Sequence, residues 1–318
     1  MSAESLTPTS ANSIYPYLTL SSATVELNSW IYNVDNIFIN EQKTNAWPIS
    51  DSIFESVNNN IYMSNKREKR ILNEIKELHK EVDILAQSGI YFHYDESDIN
   101  IIYAMLIGTE GTPYEKGFYF FKFTYPPAYP MQPPLAKYCT QGKLMNPIAN
   151  TLYDVRFNPN LYTCGKVCLS MLNTWSGPGW VPTNTISNVL VAIQAIVLIE
   201  TPLINEPGFE NSSLIELRKY TDIIDYANIK ISVCEMIKNT PPEFLPFTNI
   251  LHENFMKNLQ YYKKHIKQKN KSKSNGSLIE SPIYGMKLLS EYEVLLTDIE
   301  YVESMLKIND IGKINLSS

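Results

Sequence analysis

Ile71, Ile75, Leu78, Val82 and Leu85 recur at alternating steps of four and three, which places them on one face of a helix. Ser64 reads as its N-cap and Gly89 as its stop. The pattern then changes from periodic to short runs. Residues 90–94, 101–107, 118–125 and 135–138 are apolar or aromatic stretches bounded by turn signals, which predicts four strands. Residues 108–117 read as a hairpin loop, so a helix leads into an antiparallel meander. Residues 140–182 show no regular period, and a stretch of that kind inside a compact domain is usually functional. Helical spacing resumes near Asn184 with Ile186, Val189, Leu190, Ile193 and Val197, and Pro202 ends it.

Beyond Glu210 the chain turns helical. Helices are predicted over residues 226–239, 247–266 and 286–308, with the polar stretch 267–277 as a flexible linker. Leu288, Tyr292, Leu295, Ile299 and Met305 give the last helix an apolar stripe, which more often packs on its own domain than in a partner's groove; of the C-terminal elements this helix is still the best candidate for a mobile or partner-binding one. Residues 1–60 are rich in Ser, Thr and Asn and lack a sustained period. They read as a partly disordered or weakly docked extension, with Trp30, Phe38 and Trp47 as candidate anchors. The expected layout is an extension over 1–60, a core over 61–210 and a helical region over 211–318, with its linker near 267–282.

Composition narrows the classes. The chain has 318 residues, 44% of them hydrophobic and 19% charged, enough for a full globular core. A net charge of −6 argues against a nucleic-acid partner, because no basic excess is available to replace counterions. Residues 1–10 lack a secretory signal pattern, and the longest apolar run, 189–199, is broken by Gln194 and too short to span a bilayer. The expectation is no membrane partner and a cytoplasmic protein, with the nucleus also open. The Asn-, Ile- and Tyr-rich composition suggests an AT-rich genome of a eukaryote or its virus, the setting then being the host cell. Cys139, Cys164, Cys168 and Cys234 read as reduced thiols.

The informative chemistry sits in one run, Arg156-Phe157-Asn158-Pro159-Asn160, with Cys168 eight residues after Asn160. A thiol and a carboxamide on one loop can do acyl transfer. The sulfur carries the acyl group and an amide N–H donates to the oxyanion when the thioester is attacked. A lone cysteine is more often a small core residue, and Asn-Pro-Asn is also good turn chemistry. Cys164 and Cys168 lack further ligands at metal-site spacing, since His79, His93, His252 and His265 lie far off. Gly165-Lys166 is followed by Val167, which is not a phosphate loop. No metal or cofactor is therefore expected. A cysteine hydrolase would need an activating imidazole, and none of the histidines sits in a recognisable motif.

The motifs together resemble the ubiquitin-conjugating (ubiquitin-carrier) enzyme family. Thr112-Pro113-Tyr114-Glu115-Lys116-Gly117-Phe118 resembles its hairpin signature. Tyr125-Pro126-Pro127-Ala128-Tyr129-Pro130-Met131-Gln132-Pro133-Pro134 resembles its proline-rich loop. Trp175 and Trp180 flank the loop after the cysteine. Asn158 stands where most members have His, as in the large Z-type subgroup. That subgroup is also matched by Asn205-Glu206-Pro207-Gly208-Phe209-Glu210 and by Val233-Cys234-Glu235-Met236. The likeness runs from about residue 64 to 266.

The resemblance implies an α+β conjugating core with an N-terminal helix, a four-stranded meander, an active-site loop and added C-terminal helices. It implies an enzyme that accepts ubiquitin or a ubiquitin-like modifier on Cys168 and passes it to lysine on protein substrates. By transfer of roles, Asn160 stabilises the oxyanion or buttresses the loop, and Glu206 orients the lysine. Lys66, Arg67, Lys69 and Arg70 meet the activating enzyme, while Met131 and Pro182 meet a ligase. Ser170 sits where many members have Asp and receives no role. The rival readings are a catalytically dead scaffold and a cysteine hydrolase.

Overall fold

Helix α1 (Lys66–Lys80) and helix α2 (Val82–Gln87) carry the apolar face, and Ile71, Ile75, Leu78, Val82 and Leu85 are all buried. The computed structural model describes residues 66–95, 97–272 and 275–316, with side chains as far as Ile308. The extension over 1–60, with Trp30, Phe38 and Trp47, and the Ser64 cap lie outside the described residues. Everything below concerns the compact unit of residues 63–309.

Strands β1 (Ile90–Asp95), β2 (Asp98–Ile107), β3 (Phe118–Thr124) and β4 (Leu135–Tyr138) form one antiparallel sheet in that order. Register is set by pairs such as Phe92 with Ala104, Met105 with Phe120, and Phe121 with Tyr138. Strand β3 does not alternate because both its faces are covered, which requires a continuous apolar run. On one face Tyr119 and Phe121 meet Phe157 and Tyr138, with ring centroids 5.9 and 5.4 Å apart. On the other, Phe120 stacks on Phe244 of the C-terminal region at 4.5 Å.

The stretch without a period contains a hairpin that the sequence reading missed, β5 (Lys143–Asn146) with β6 (Thr151–Asp154). Four-residue strands are too short to show alternation. The hairpin is turned by Asn146, whose side-chain oxygen accepts from the amides of Ile148 and Ala149 at 3.0 and 3.1 Å. Helix α3 (Ile186–Ala192) follows, capped by Thr185 and prolonged by a π turn over Ile193–Val197.

The C-terminal region docks on this core. Helix α4 (Leu214–Ala227) starts earlier than predicted, at a reciprocal cap between Ser213 and Glu216. It continues through a π turn, Asn228–Glu235, to the short helix α5 (Met236–Lys238). Asn228 is the anchor: its side chain accepts from the Tyr119 hydroxyl at 2.6 Å and donates to the Glu115 carbonyl at 2.9 Å. Gly117 makes this approach feasible, since a Cβ there would lie 1.8 Å from the Asn228 side-chain oxygen. Helix α6 (Thr248–Asn270) adds a bond from the Tyr262 hydroxyl to the Lys116 carbonyl at 2.8 Å.

The polar stretch expected to be a linker is helical up to Asn270, held where Lys269 pairs with Asp222 and Asp225 at 3.2 and 3.1 Å. A second hairpin follows, β7 (Leu278–Glu280) with β8 (Lys287–Leu289), so Leu288 belongs to a strand rather than to the last helix. Helix α7 (Tyr292–Leu316) begins beyond it. Its Tyr292, Leu295, Ile299, Val302 and Leu306 are buried, and Asp298 and Glu303 pair with Lys230 and Lys263 at 2.6 and 2.5 Å. The stripe packs on the protein's own core, the more common outcome for such a stripe, and the helix is not a separately mobile element. Among the described residues no helix is long and apolar enough to cross a membrane.

Candidate active site

The run from Asn160 to Cys168 is a small hairpin, and its pairing explains the eight-residue spacing. The Cys168 amide donates to the Asn160 carbonyl at 2.8 Å, Leu161 bridges Val167, and the Tyr162 amide donates to the Lys166 carbonyl at 2.9 Å. Pairing that is symmetric about the Thr163-Cys164-Gly165 turn puts residues 160 and 168 opposite each other, on one face. Gly165 closes the turn at φ +92° and holds it to the sheet, its carbonyl accepting from the Tyr138 amide at 2.7 Å. On the opposite face, Leu161 and Val167 are buried.

Asn160 and Cys168 are joined a second time through a side chain. Asn160 Nδ2 donates to the Cys168 carbonyl at 2.6 Å. One of the two amide hydrogens is thus committed to the loop, while Asn160 Oδ1 is buried without a hydrogen-bond partner. Cys168 is 1% exposed. After it, Thr174 Oγ1 accepts from the Leu169 amide and donates to the Val167 carbonyl, at 2.9 and 2.7 Å.

Asn158 is fully buried, and its carboxamide has all its bonding capacity in use. Nδ2 donates to the Tyr114 hydroxyl at 3.0 Å and to the Val197 carbonyl at 2.7 Å. Oδ1 accepts from the Asn160 amide at 2.8 Å and from Asn205 Nδ2 at 3.4 Å. A neutral imidazole offers one donor and one acceptor, so it could not reproduce this set. Asn205 also donates to the Ile196 carbonyl at 2.9 Å. A chain of carboxamides therefore runs from the turn that carries Glu206 to the hairpin that carries Cys168.

Glu206 follows the 3-10 turn Pro202–Asn205 and is half-buried. Its carboxylate accepts from the Tyr284 hydroxyl. Tyr284 sits in the β7–β8 turn. Its ring lies 4.4 Å from the Arg156 guanidinium, which faces Tyr162 at 3.6 Å on another side and donates to the Pro159 carbonyl at 2.6 Å. Tyr284 and Arg156 were not singled out from the sequence. Arg156 heads the informative run but was given no role there, and Tyr284 carries no motif and is delivered by a turn far along the chain.

The four basic residues at the start of α1 divide. Arg67 donates to the carbonyls of Pro126 and Tyr125, both at 2.8 Å, and Arg70 donates to Glu74 and to the Asn184 carbonyl, also both at 2.8 Å. Lys66 and Lys69 are exposed. Met131, 73% exposed, and Pro182, also exposed, lie on two loops that Trp180 ties together by donating from its indole to the Pro130 carbonyl at 2.7 Å.

Comparison with known proteins decides the family. Residues 70–213 match the model of ubiquitin-conjugating enzymes. The Xenopus tropicalis ubiquitin-conjugating enzyme E2 Z is 34% identical over 247 residues, covering 77% of this chain and 73% of that protein. The chain belongs to the ubiquitin-conjugating enzyme family. The human E2 Z is 35% identical over 228 residues, 71% of this chain but 60% of that protein, so this family member spans three fifths of its human relative. A probable ubiquitin-conjugating enzyme E2 25 of Arabidopsis thaliana is 41% identical over 149 residues, 46% of this chain and 22% of the relative.

Proposed function

We propose that the chain is an active ubiquitin-conjugating enzyme that carries ubiquitin, or a ubiquitin-like modifier, on Cys168 and hands it to lysine. The observation that carries this is the hairpin placing Asn160 opposite Cys168 within a segment matched by the family. In charging, the Cys168 thiolate attacks the thioester carbonyl on the activating enzyme, and the donor thiol leaves. The exchange is near thermoneutral and needs no base at the acceptor. In discharge, a lysine amine attacks the new thioester, the Asn160 N–H not given to the loop donates to the oxyanion, and the Cys168 thiolate leaves and takes up the proton the amine sheds.

Glu206 fits the role of orienting the amine, since a free lysine is almost wholly protonated at neutral pH. Of the four basic residues at the start of α1, Lys66 and Lys69 are left to meet an activating enzyme. Arg67 and Arg70 are engaged in holding the helix to the proline-rich loop and to the start of α3. Met131 and Pro182 present the corresponding surface to a ligase. The hydrolase reading loses ground because His79 packs against Phe92, His93 against Tyr103, and His265 bonds to Asp225 at 2.9 Å, while His252 lies on helix α6 of the C-terminal region. Incubation with activating enzyme, ATP and ubiquitin or a ubiquitin-like modifier tests the proposal. A thiol-sensitive adduct is expected, and a scaffold or a hydrolase would form none.

A further inference from the structure

We propose that Tyr284, delivered by the β7–β8 turn, is a positioning residue for the acceptor step: it holds the Glu206 carboxylate and braces Arg156 against the Cys168 hairpin. This rests on the reading of Glu206 as the residue that orients lysine. It makes the C-terminal region part of the site rather than only a support for the fold.

The geometry converges from three distant parts of the chain. The Tyr284 hydroxyl donates to Glu206, its ring meets the Arg156 guanidinium at 4.4 Å, and that guanidinium also covers Tyr162 of the hairpin at 3.6 Å. The Tyr220 hydroxyl donates to the Arg156 carbonyl at 2.7 Å, and its ring sits 6.2 Å from that of Tyr284. A half-buried carboxylate left alone swings among rotamers. One donor fixed by a packed ring leaves it a single orientation, with its second oxygen available to an incoming ammonium. Burial pushes the Tyr284 hydroxyl well above its ordinary range, so it stays protonated and remains a donor.

The backbone gives an independent sign. Tyr284 and Gly285 both have φ +65°, two successive left-handed residues in the loop 282–285 between β7 and β8. Asn and Gly tolerate this region, and a bulky aromatic in it is strained. Strain of this kind persists where the surrounding structure holds the residue for another purpose. Here the ring and hydroxyl are held by Arg156 and Glu206. The turn is closed without the Tyr284 side chain: the Ser281 amide donates to the Met286 carbonyl at 2.9 Å and the Ile283 amide to Ser281 Oγ at 3.3 Å.

The test uses the full chain charged with ubiquitin and then chased with free lysine, so that charging and discharge are read separately. Tyr284→Phe keeps the ring over Arg156 and removes only the donor. Charging should be unchanged and discharge about ten- to hundredfold slower near neutral pH, the size of one lost hydrogen bond to a charged group. The gap should narrow as pH rises toward the lysine pKa of about 10.4. Tyr284→Asn matches the turn but lacks the ring, and should also charge normally and discharge slowly. Glu206→Gln combined with Tyr284→Phe should be no slower than Glu206→Gln alone. Normal discharge of Tyr284→Phe beside slow discharge of Glu206→Gln would overturn this inference and leave the Glu206 reading standing. Normal discharge of Glu206→Gln would overturn both. Equal losses in charging and discharge, constant across pH, would make Tyr284 a structural residue only.

Discussion

Asn160 and Cys168 hold each other twice, by a backbone bond of 2.8 Å from the Cys168 amide and by a side-chain bond of 2.6 Å to the Cys168 carbonyl. The same carboxamide that could serve an oxyanion thus also pins the residue bearing the thiol. The two duties separate kinetically. Asn160→Ala should still charge but discharge about 100- to 1000-fold more slowly, the usual loss for one oxyanion donor. Single-turnover rates of both steps decide it. Equal losses would assign Asn160 to the buttress alone.

The four thiols differ in exposure, and their reactivity should follow. Cys164 is exposed, Cys139 is half-buried with its thiol pushed up to about 11 by burial, and Cys168 and Cys234 are buried. A maleimide added to the free protein should label Cys164 first, as read by peptide mass mapping. Cys168→Ala should abolish the modifier adduct, whereas Cys139→Ala, Cys164→Ala and Cys234→Ala should retain it.

Replacing the saturated carboxamide of Asn158 should cost stability out of proportion to its size. Asn158→Ala strands the Val197 carbonyl and the Asn160 amide in a buried site, for a loss of roughly 2–4 kcal/mol. Asn158→Asp loses both donors while ionised. Its buried carboxyl has a folded pKa above the unfolded value, so it is least destabilising at low pH and loses ground as pH rises. Denaturant titrations across pH check both.

Helix α7 is integral rather than appended. Ile299 is buried on it, and Ile299→Ala should cost about 2–5 kcal/mol. A melting temperature unchanged by this substitution would show the helix to be detached.

Acid should destabilise the protein through His79. Burial between helix α1 and the rings of Phe92 and Tyr94 lowers its pKa from 6.5 to about 4. Between these values the unfolded chain binds a proton that the folded chain refuses, so stability falls as pH drops through this window. The full effect is on the order of 3 kcal/mol for this nearly inaccessible ring. His79→Phe should flatten that part of the pH–melting curve. His93, lowered to about 4 by the same cause, should contribute a second, separable share.

The meander and the first helix were legible because their core residues recur at the period of the element that carries them, from Ile71 to Leu85 and along β3. Asn160 and Cys168 were legible as a pair, although the reason for their spacing, a hairpin symmetric about a three-residue turn, was not drawn from the run itself. The Ser213–Glu216 cap was readable as Ser-x-x-Glu and was overlooked, which misplaced the start of α4. Charge was the poorest guide to direction. Arg67 and Arg70 turn their forked guanidinium groups inward onto carbonyls of Pro126 and Asn184, far along the chain, while Lys66 and Lys69 stay exposed. The contact between Tyr284 and Glu206 joins strands of three residues to a turn with no period, and nothing local announces it.

If Cys168 carries the modifier as proposed, its near-complete burial bears on how charging is controlled. A thiol hidden at rest would make the charging rate the product of an intrinsic rate and the fraction of time the thiol is uncovered. A donor that binds open and closed loops equally well leaves that fraction unchanged, however tightly it binds. Only a donor with better contacts to the uncovered form would gain from it, so a partner would be selected by how well it binds the hairpin with its thiol exposed.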